Sequence, residues 1–552
     1  MWRLLVIGLY FGAMAETFLP LSIVWILLAV TPLLTVLYLM IGRQWGGSKA
    51  GPAGWLTAVF ISLLFFGANL PLLLVALGRS ILLSLFVLYI IWMALLLYHV
   101  VNEAGVIAAI GRELPRLAQD RPAQALLLAW VFGSFLQGAT GFGVPAAVVA
   151  PLLVGLGFTA SVAVVMGLLG HAWAVTFGSL GSSFLALMAT SGLPGEVLAG
   201  PAAAMLGVCC LGCGLAVLWL AGGKTAVYQR GKFMIIIAAV MGSAQWALAV
   251  SGLWTLAALG GALAGLLLTI FYLSRSQPTV QTRWRLLGQA FFPYLILISV
   301  IMIGQLVLGD RLSFLVINPL FPQVETSLGW QMAAGTGRSL DLFGHAGALL
   351  LYASLLTYGW YRWRGPIRQA VGSNQYSVNS EKLAVKSDTA YARRTPHYNG
   401  RIIFQKTVRG SIKPTIAILS LVAMAITMEH AGMTYLLALA ISQTTGELFP
   451  LLSPFIGALG AFMTGSNTNS NVVFGQLQQQ TALALNLAVP IILAGQTAGG
   501  ALGGLFAPAK VIVGCSTVTG ADEGHVLKLA TAYGLGLTLV VGVVVLIVVR
   551  IA

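Results

Sequence analysis

Apolar runs of roughly twenty residues recur along nearly the whole chain, separated by short polar turns. A helix of about that length crosses the hydrocarbon core of a bilayer. The pattern predicts spans at 20–42, 51–72, 80–101, 161–189, 200–221, 233–250, 252–274, 287–308, 343–361, 414–442, 488–512 and 526–550. Two further apolar stretches, 125–157 and 450–482, are interrupted by polar, glycine-rich motifs: Gln137-Gly-Ala-Thr-Gly-Phe-Gly-Val-Pro145 and Thr464-Gly-Ser-Asn-Thr-Asn-Ser-Asn471. The spans that follow them are interrupted too, 161–189 by Phe177-Gly-Ser-Leu-Gly-Ser-Ser183 and 488–512 by Gly495-Gln-Thr-Ala-Gly-Gly500. The predicted fold is an all-α polytopic membrane protein, with about 12 transmembrane helices plus two re-entrant hairpins.

Charge orients these segments. The polar stretch 362–413 holds eleven Lys/Arg against Glu381 and Asp388, which assigns it to the cytoplasm. Counting backwards puts Arg283 and Arg285, then Lys224, Arg230 and Lys232, then Arg112, Arg116 and Arg121 on the same side, with Arg79 as an outside exception. The parity holds only if 125–157 enters and leaves from the cytoplasmic face and 450–482 from the outer face. Two oppositely inserted hairpins, each followed by a broken span, form an inverted repeat. The short turn between 233–250 and 252–274 is the weak point of that parity. The chain divides accordingly into 1–361, a membrane region with hairpin 125–157; 362–413, a polar loop; and 414–552, a membrane region with hairpin 450–482. The loop, rich in Ser, Asn, Lys and Arg, buries little surface and is a connector or a regulatory element.

Composition removes competing classes. Of 552 residues, 59% are hydrophobic and 8% charged, against about a quarter charged in a soluble domain. The net charge of +15 lies in loops and forms no basic stripe with interleaved aromatics, so no nucleic-acid partner is expected. Cys209, Cys210 and Cys213 share one apolar stretch without a histidine nearby; they read as a soft-metal cluster or, more simply, as small apolar residues. The segment 1–15 reads as an uncleaved membrane segment. No enzyme signature, metal site or cofactor is expected, and without a P-loop the driving force is an ion gradient.

Each motif admits a bland and a functional reading. Glycines in the first let helices pack closely. They also let Gln137, Thr140, Gly141 and Gly143 form a tip where a half-helix starts, with free N–H groups that attract an anion. In the second, Ser466, Asn467, Thr468, Asn469 and Asn471 are costly to bury without partners; they form an external loop or a neutral cradle for a small polar anion. His171, Trp173, Thr176, Ser179, Ser182 and Ser183 line one broken span, and Gln496, Thr497, Pro508, Lys510, Ser516 and Thr517 the other. His171 titrates near neutrality and is a candidate for a coupling proton or a neutral core residue. Glu429-His430 is a buried pair or marks a displaced helix end. Arg338, with Asp341 and His345, is a carboxylate clamp or an interfacial anchor.

Phe132 to Phe158 resembles the L-lactate permease family, which includes glycolate permeases, as does Ser453 to Asn471; Gln496-Thr-Ala-Gly-Gly500 followed by Ala507-Pro508 fits as well. The resemblance implies a bacterial inner-membrane carrier of small 2-hydroxy monocarboxylates, coupled to protons. Its substrate-binding residues would be Gln137, Thr140, Gly141, Gly143, Ser466, Asn467, Thr468, Asn469, Asn471, Gln496 and Thr497. The family typically has Glu at Gln137, Asp at Asn467 and Asn at His171. An amide cannot carry a coupling proton, so His171 takes that role, or the coupling or the anion differs. A passive anion channel and a non-transporting membrane sensor are the alternatives from other classes.

Overall fold

The computed structural model describes residues 20–118, 120–141, 143–276, 283–367 and 398–551. The expected segment 1–15 and most of the polar loop fall outside them. The described residues are overwhelmingly helical, and nine helices among them are long and apolar enough to cross a membrane. The count is below twelve because several spans are broken or joined. Gly195–Val250 is two antiparallel arms: Gly222 is extended, Gly223 has φ +60°, and Gly200 then faces Val250 and Gly207 faces Gly242. After the turn 251–256, Ala257–Ser276 packs back along the second arm, with Gly261 against Met241 and Gln245. The short turn therefore does separate two helices.

Caps shift several boundaries. The expected span 51–72 is the helix Gly47–Leu64, and the next helix starts at Leu70 rather than 80. Asn69 sets that start, its side chain accepting from Leu72 N at 2.9 Å; hydropathy alone assigns residues 70–72 to the preceding helix and 73–79 to none. The span 414–442 is likewise two helices, Gly400–His430 and Met433–Thr445. The first is capped by Asn399, so residues 400–413 are helical rather than loop, and Gly432 at φ +78° breaks the run.

One feature departs from the all-helical expectation. Residues 316–341 form a narrow antiparallel ribbon, pairing Val316 with Asp341, Leu320 with Thr336 and Val324 with Met332. It lies across the start of Leu70–Glu103. Asn69 donates to Glu325 O at 3.0 Å, Arg79 to Ala333 O at 3.1 Å, and Arg338 stacks over Phe86 at 4.3 Å. Arg338 and Asp341 anchor this ribbon, with Asp341 accepting from Gly344 N at 2.9 Å. His345 caps the following helix, Ala346–Arg364.

Contacts at the helix ends define two faces of the bundle. Arg230 pairs with Asp120, Arg121 donates to Gly157 O at 2.5 Å, and Asp522 N donates to Ser161 Oγ at 3.1 Å. Residues 121 and 157 are the two ends of the stretch that holds the first glycine-rich motif, so it starts and finishes at one face. At the far end of Glu523–Ile551, Arg550 lies 3.7 Å from Glu447, just before the second such stretch.

Candidate functional site

The first hairpin climbs as Arg121–Ala125, a π-helical stretch Leu126–Phe132 and Gly133–Ala139, then returns as Val144–Gly155. Asp120 caps the ascent through Ala123 N at 2.8 Å. π-helical turns concentrate where a helix is locally reshaped for function. Gly143, at φ +82°, starts the return arm in a conformation a side chain strains to adopt, and open space surrounds it. Thr140 spends its hydroxyl on Leu136 O, at 2.7 Å, within its own helix.

The first broken span, Ala160–Ala172 and Gly178–Ser191, is interrupted where the sequence indicates. Ser179, Leu180 and Gly181 are all left-handed. Two consecutive non-glycine residues there are costly and mark a backbone held by its surroundings. The tip of the first hairpin supplies part of that hold. A Cβ on Gly141 would overlap Ser179 Oγ, and one on Gly178 would come within 2.9 Å of Gln137 Nε2. Trp173 adds a second tie, donating to Ser134 Oγ at 2.7 Å.

The second hairpin is Phe449–Thr464 and Asn467–Ala484, turning at Gly465 with φ +69°. Ser466 caps the return arm through Asn469 N at 3.3 Å. Its amides reach the first broken span. Asn467 Nδ2 donates to Thr176 Oγ1 at 3.1 Å and Thr497 Oγ1 at 3.3 Å. Asn471 Nδ2 donates to Ser183 O and Thr497 Oγ1, both at 2.9 Å, and Thr468 bonds Ser183 through their hydroxyls at 2.9 Å. Gln496 donates to Ser470 Oγ at 3.0 Å and accepts from Gln478 at 2.5 Å. These groups are almost wholly shielded, so protein partners rather than bulk water must satisfy them. Asn467 Oδ1 and Asn471 Oδ1 have no protein partner among the described residues.

The second broken span differs from expectation. Val489–Gly503 runs unbroken through 495–500, and the break falls at 504–507, before Pro508–Ser516. The glycines serve packing instead: a Cβ on Gly499 would collide with the Pro454 backbone and one on Gly503 with that of Ala458. Pro508 sets the break, since it lacks the N–H that would continue the helix.

Both hairpins thus converge on residues 176–183, Gln137 and Gly141 from one side and Asn467, Thr468 and Asn471 from the other. His171 is buried just before this break, its Nδ1 2.6 Å from Gly167 O. Lys510 is half-buried at the second break, its Nζ 2.8 Å from where a Cβ on Gly504 would stand. Cys209, Cys210 and Cys213 are buried free thiols, and no metal-ligand cluster occurs among the described residues. Arg338 and Asp341 are spent on holding the ribbon, Arg338 against Phe86 and Asp341 on its own turn at Gly344. Glu429-His430 is a helix end, with His430 buried and Glu429 half-buried. Glu429 Oε1 accepts from Gln476 Nε2, on the return arm of the second hairpin, at 3.0 Å. Gln478 is a member of the network that a reading of the glycine-rich motifs misses, since it lies in the amide-rich helix beyond the second motif; Ser470 lies inside that motif, and Ser134 just ahead of the first in apolar sequence.

The family model for L-lactate permease matches residues 25–308 and 389–552. The chain is 24% identical to the L-lactate permease of Escherichia coli (strain K12), over 95% of this chain and 96% of that one. It is 24% identical to the L-lactate permease of Bacillus subtilis (strain 168), over 94% of each. The glycolate permease GlcA of Escherichia coli (strain K12) is also 24% identical, over 94% of this chain and 95% of its own. With most of its length matched, and with both glycine-rich hairpins inside the matched segments, the chain belongs to the L-lactate permease family.

Proposed function

We propose that the protein is a secondary active transporter of small 2-hydroxy monocarboxylates in a bacterial inner membrane, carrying L-lactate and, by the same chemistry, D-lactate or glycolate. The names of its relatives support that substrate class. The observation that carries the mechanism is the convergence of two glycine-turned hairpins on one broken span, at Gly178 and Ser179 from the first and Thr176 and Ser183 from the second. Irregular backbone at membrane depth survives only where protein or a water-filled cavity satisfies it. The anion binds between the tips, and alternating access follows when one hairpin and its broken span rock against the other. Gln137, Thr140, Gly141, Gly143, Ser466, Asn467, Thr468, Asn469, Asn471, Gln496 and Thr497 form or frame the binding region.

Coupling is to a proton, with His171 as the carrier. Its Nδ1 is committed to the Gly167 carbonyl, which leaves Nε2 as the nitrogen that takes the proton. The amides at 137 and 467 favour a second reading in which another ion drives the same anion.

Purified protein in liposomes tests both readings. Preloaded L-lactate or glycolate should drive saturable counterflow of labelled lactate, and an inward proton gradient should drive accumulation. Flux without trans-stimulation would identify a channel, and no flux a sensor. Accumulation under a sodium gradient alone would replace the proton.

A further inference from the structure

Lys510 is in the wrong place for a purely structural lysine. It is the third residue of Pro508–Ser516, where a positive charge opposes the positive end of the helix dipole. It is half-buried, and taking an ammonium from water is costly unless a counter-charge answers it. None of the ion pairs among the described residues includes it. Two local rules are broken together, and sites that break local rules are where function outweighs stability.

Its surroundings say what would answer the charge. The neighbouring Ala509 Cβ is 3.8 Å from where a Cβ on Gly465 would stand, so the helix start touches the tip of the second hairpin. Farther along the same helix, Gly514 packs on Val164 of the first broken span. Pro508–Ser516 also packs against Val144–Gly155, the return arm of the first hairpin. The amine therefore stands at the second break, on a helix touching both hairpins. The hairpin tips offer only neutral hydroxyls, amides and N–H groups.

We propose that the Lys510 amine is the counter-charge for the carboxylate of the transported anion, making it the residue that selects an anion over a neutral solute of the same shape. This rests on the transport reading above. A single ammonium suits a monocarboxylate, which it binds as a point charge; the neutral groups of the tips then address the hydroxyl.

The test uses labelled L-lactate counterflow with the full chain, in Lys510→Gln, Lys510→Arg and Lys510→Cys. Lys510→Gln should raise the half-saturation concentration for lactate at least tenfold. It should also cut the preference for unlabelled lactate over neutral lactamide as competitor by a similar factor, which a merely structural role would not move. Lys510→Arg should keep that preference. Lys510→Cys should behave like Lys510→Gln and recover after alkylation with 2-bromoethylamine, which restores an amine in the same folded protein. Unchanged half-saturation and preference in Lys510→Gln, or no recovery in the alkylated cysteine variant, would overturn the assignment. A wild-type protein that moves no monocarboxylate removes the transport reading and this one with it; active wild type with an indifferent lysine removes only this one.

Discussion

Asn467, the first residue of the second hairpin's return arm, donates its side-chain amide to Thr176 Oγ1 across 3.1 Å, joining positions 291 apart in the chain. Both residues are almost fully shielded, Asn467 at 2% exposure and Thr176 at 0%. Thr497 Oγ1 meets the same two residues, at 3.3 and 3.2 Å. Hairpin, first broken span and second broken span are therefore pinned at one point. Any rocking of one repeat against the other must strain or break these bonds.

Replacing Asn467 by Ala removes the donor and leaves Thr176 and Thr497 short of a partner. Both keep other bonds, to each other and from Asn471 to Thr497, so the loss is that of a neutral hydrogen bond, roughly 0.5–1.5 kcal/mol. Asn467→Ala should lower the detergent-solubilised melting temperature and reduce lactate counterflow at least tenfold. Counterflow within twofold of wild type would show that the junction is dispensable.

Gln137→Glu combined with Asn467→Asp restores the carboxylates the family typically carries. Each amide offers no titratable proton. If coupling in the family resides at these positions, the double variant should accumulate lactate more steeply as the proton gradient grows. A carboxylate at 467 cannot donate as the amide does, but it can accept from the Thr176 and Thr497 hydroxyls, so exchange without a gradient should exceed that of Asn467→Ala. Accumulation ratios measured against imposed pH steps in liposomes give the answer; an unchanged slope would place coupling elsewhere.

Much of this architecture is legible in the order of residues. Glycine runs inside apolar segments mark both hairpin tips, because φ above zero at Gly143 and Gly465 is a local requirement that the sequence must meet locally. Helix ends are less legible. Asn69 and Asn399 each start a helix well before hydropathy places it, since one cap outweighs several apolar residues. The glycines at 495–500 mislead for a different reason. Their purpose is contact with a neighbouring helix, and nothing within the segment tells a packing glycine from a breaking one. The ribbon at 316–341 has paired strands of only two residues, too short for an alternating pattern to register. Lys510 is visible in the sequence, but its lack of an acidic partner among the described residues is a fact of the folded chain alone.

Gly141→Ala should abolish transport while the protein still inserts, because the new methyl overlaps Ser179 Oγ and the residue has φ +65°. Gly143 is the control. It has a similar φ of +82° but open space around it, so alanine there costs about 1–2 kcal/mol of backbone strain and little else. Ser179→Gly removes the obstructing hydroxyl and relieves a left-handed serine at φ +48°. The double variant Gly141→Ala/Ser179→Gly should regain at least part of the lost counterflow. If both alanine variants lose transport equally, packing against Ser179 is not what positions the tip.

His171→Asn separates coupling from binding. Asparagine keeps a hydrogen-bonding side chain but does not titrate in the physiological range. His171 Nδ1 lies 2.6 Å from Gly167 O within its own helix turn, and an amide of similar reach can donate to the same carbonyl. The fold should survive, with a melting temperature near that of wild type. Accumulation driven by a pH gradient should then disappear, while lactate–lactate exchange, which needs no net proton movement, continues at close to the wild-type rate. Accumulation that persists in this variant would exclude His171 as carrier. It would turn attention to Glu429, a carboxyl bonded to Gln476 at 3.0 Å on the second hairpin. Glu429→Gln keeps the shape of that bond while removing its proton, so pH-driven accumulation lost there but kept in His171→Asn would move the coupling site to Glu429.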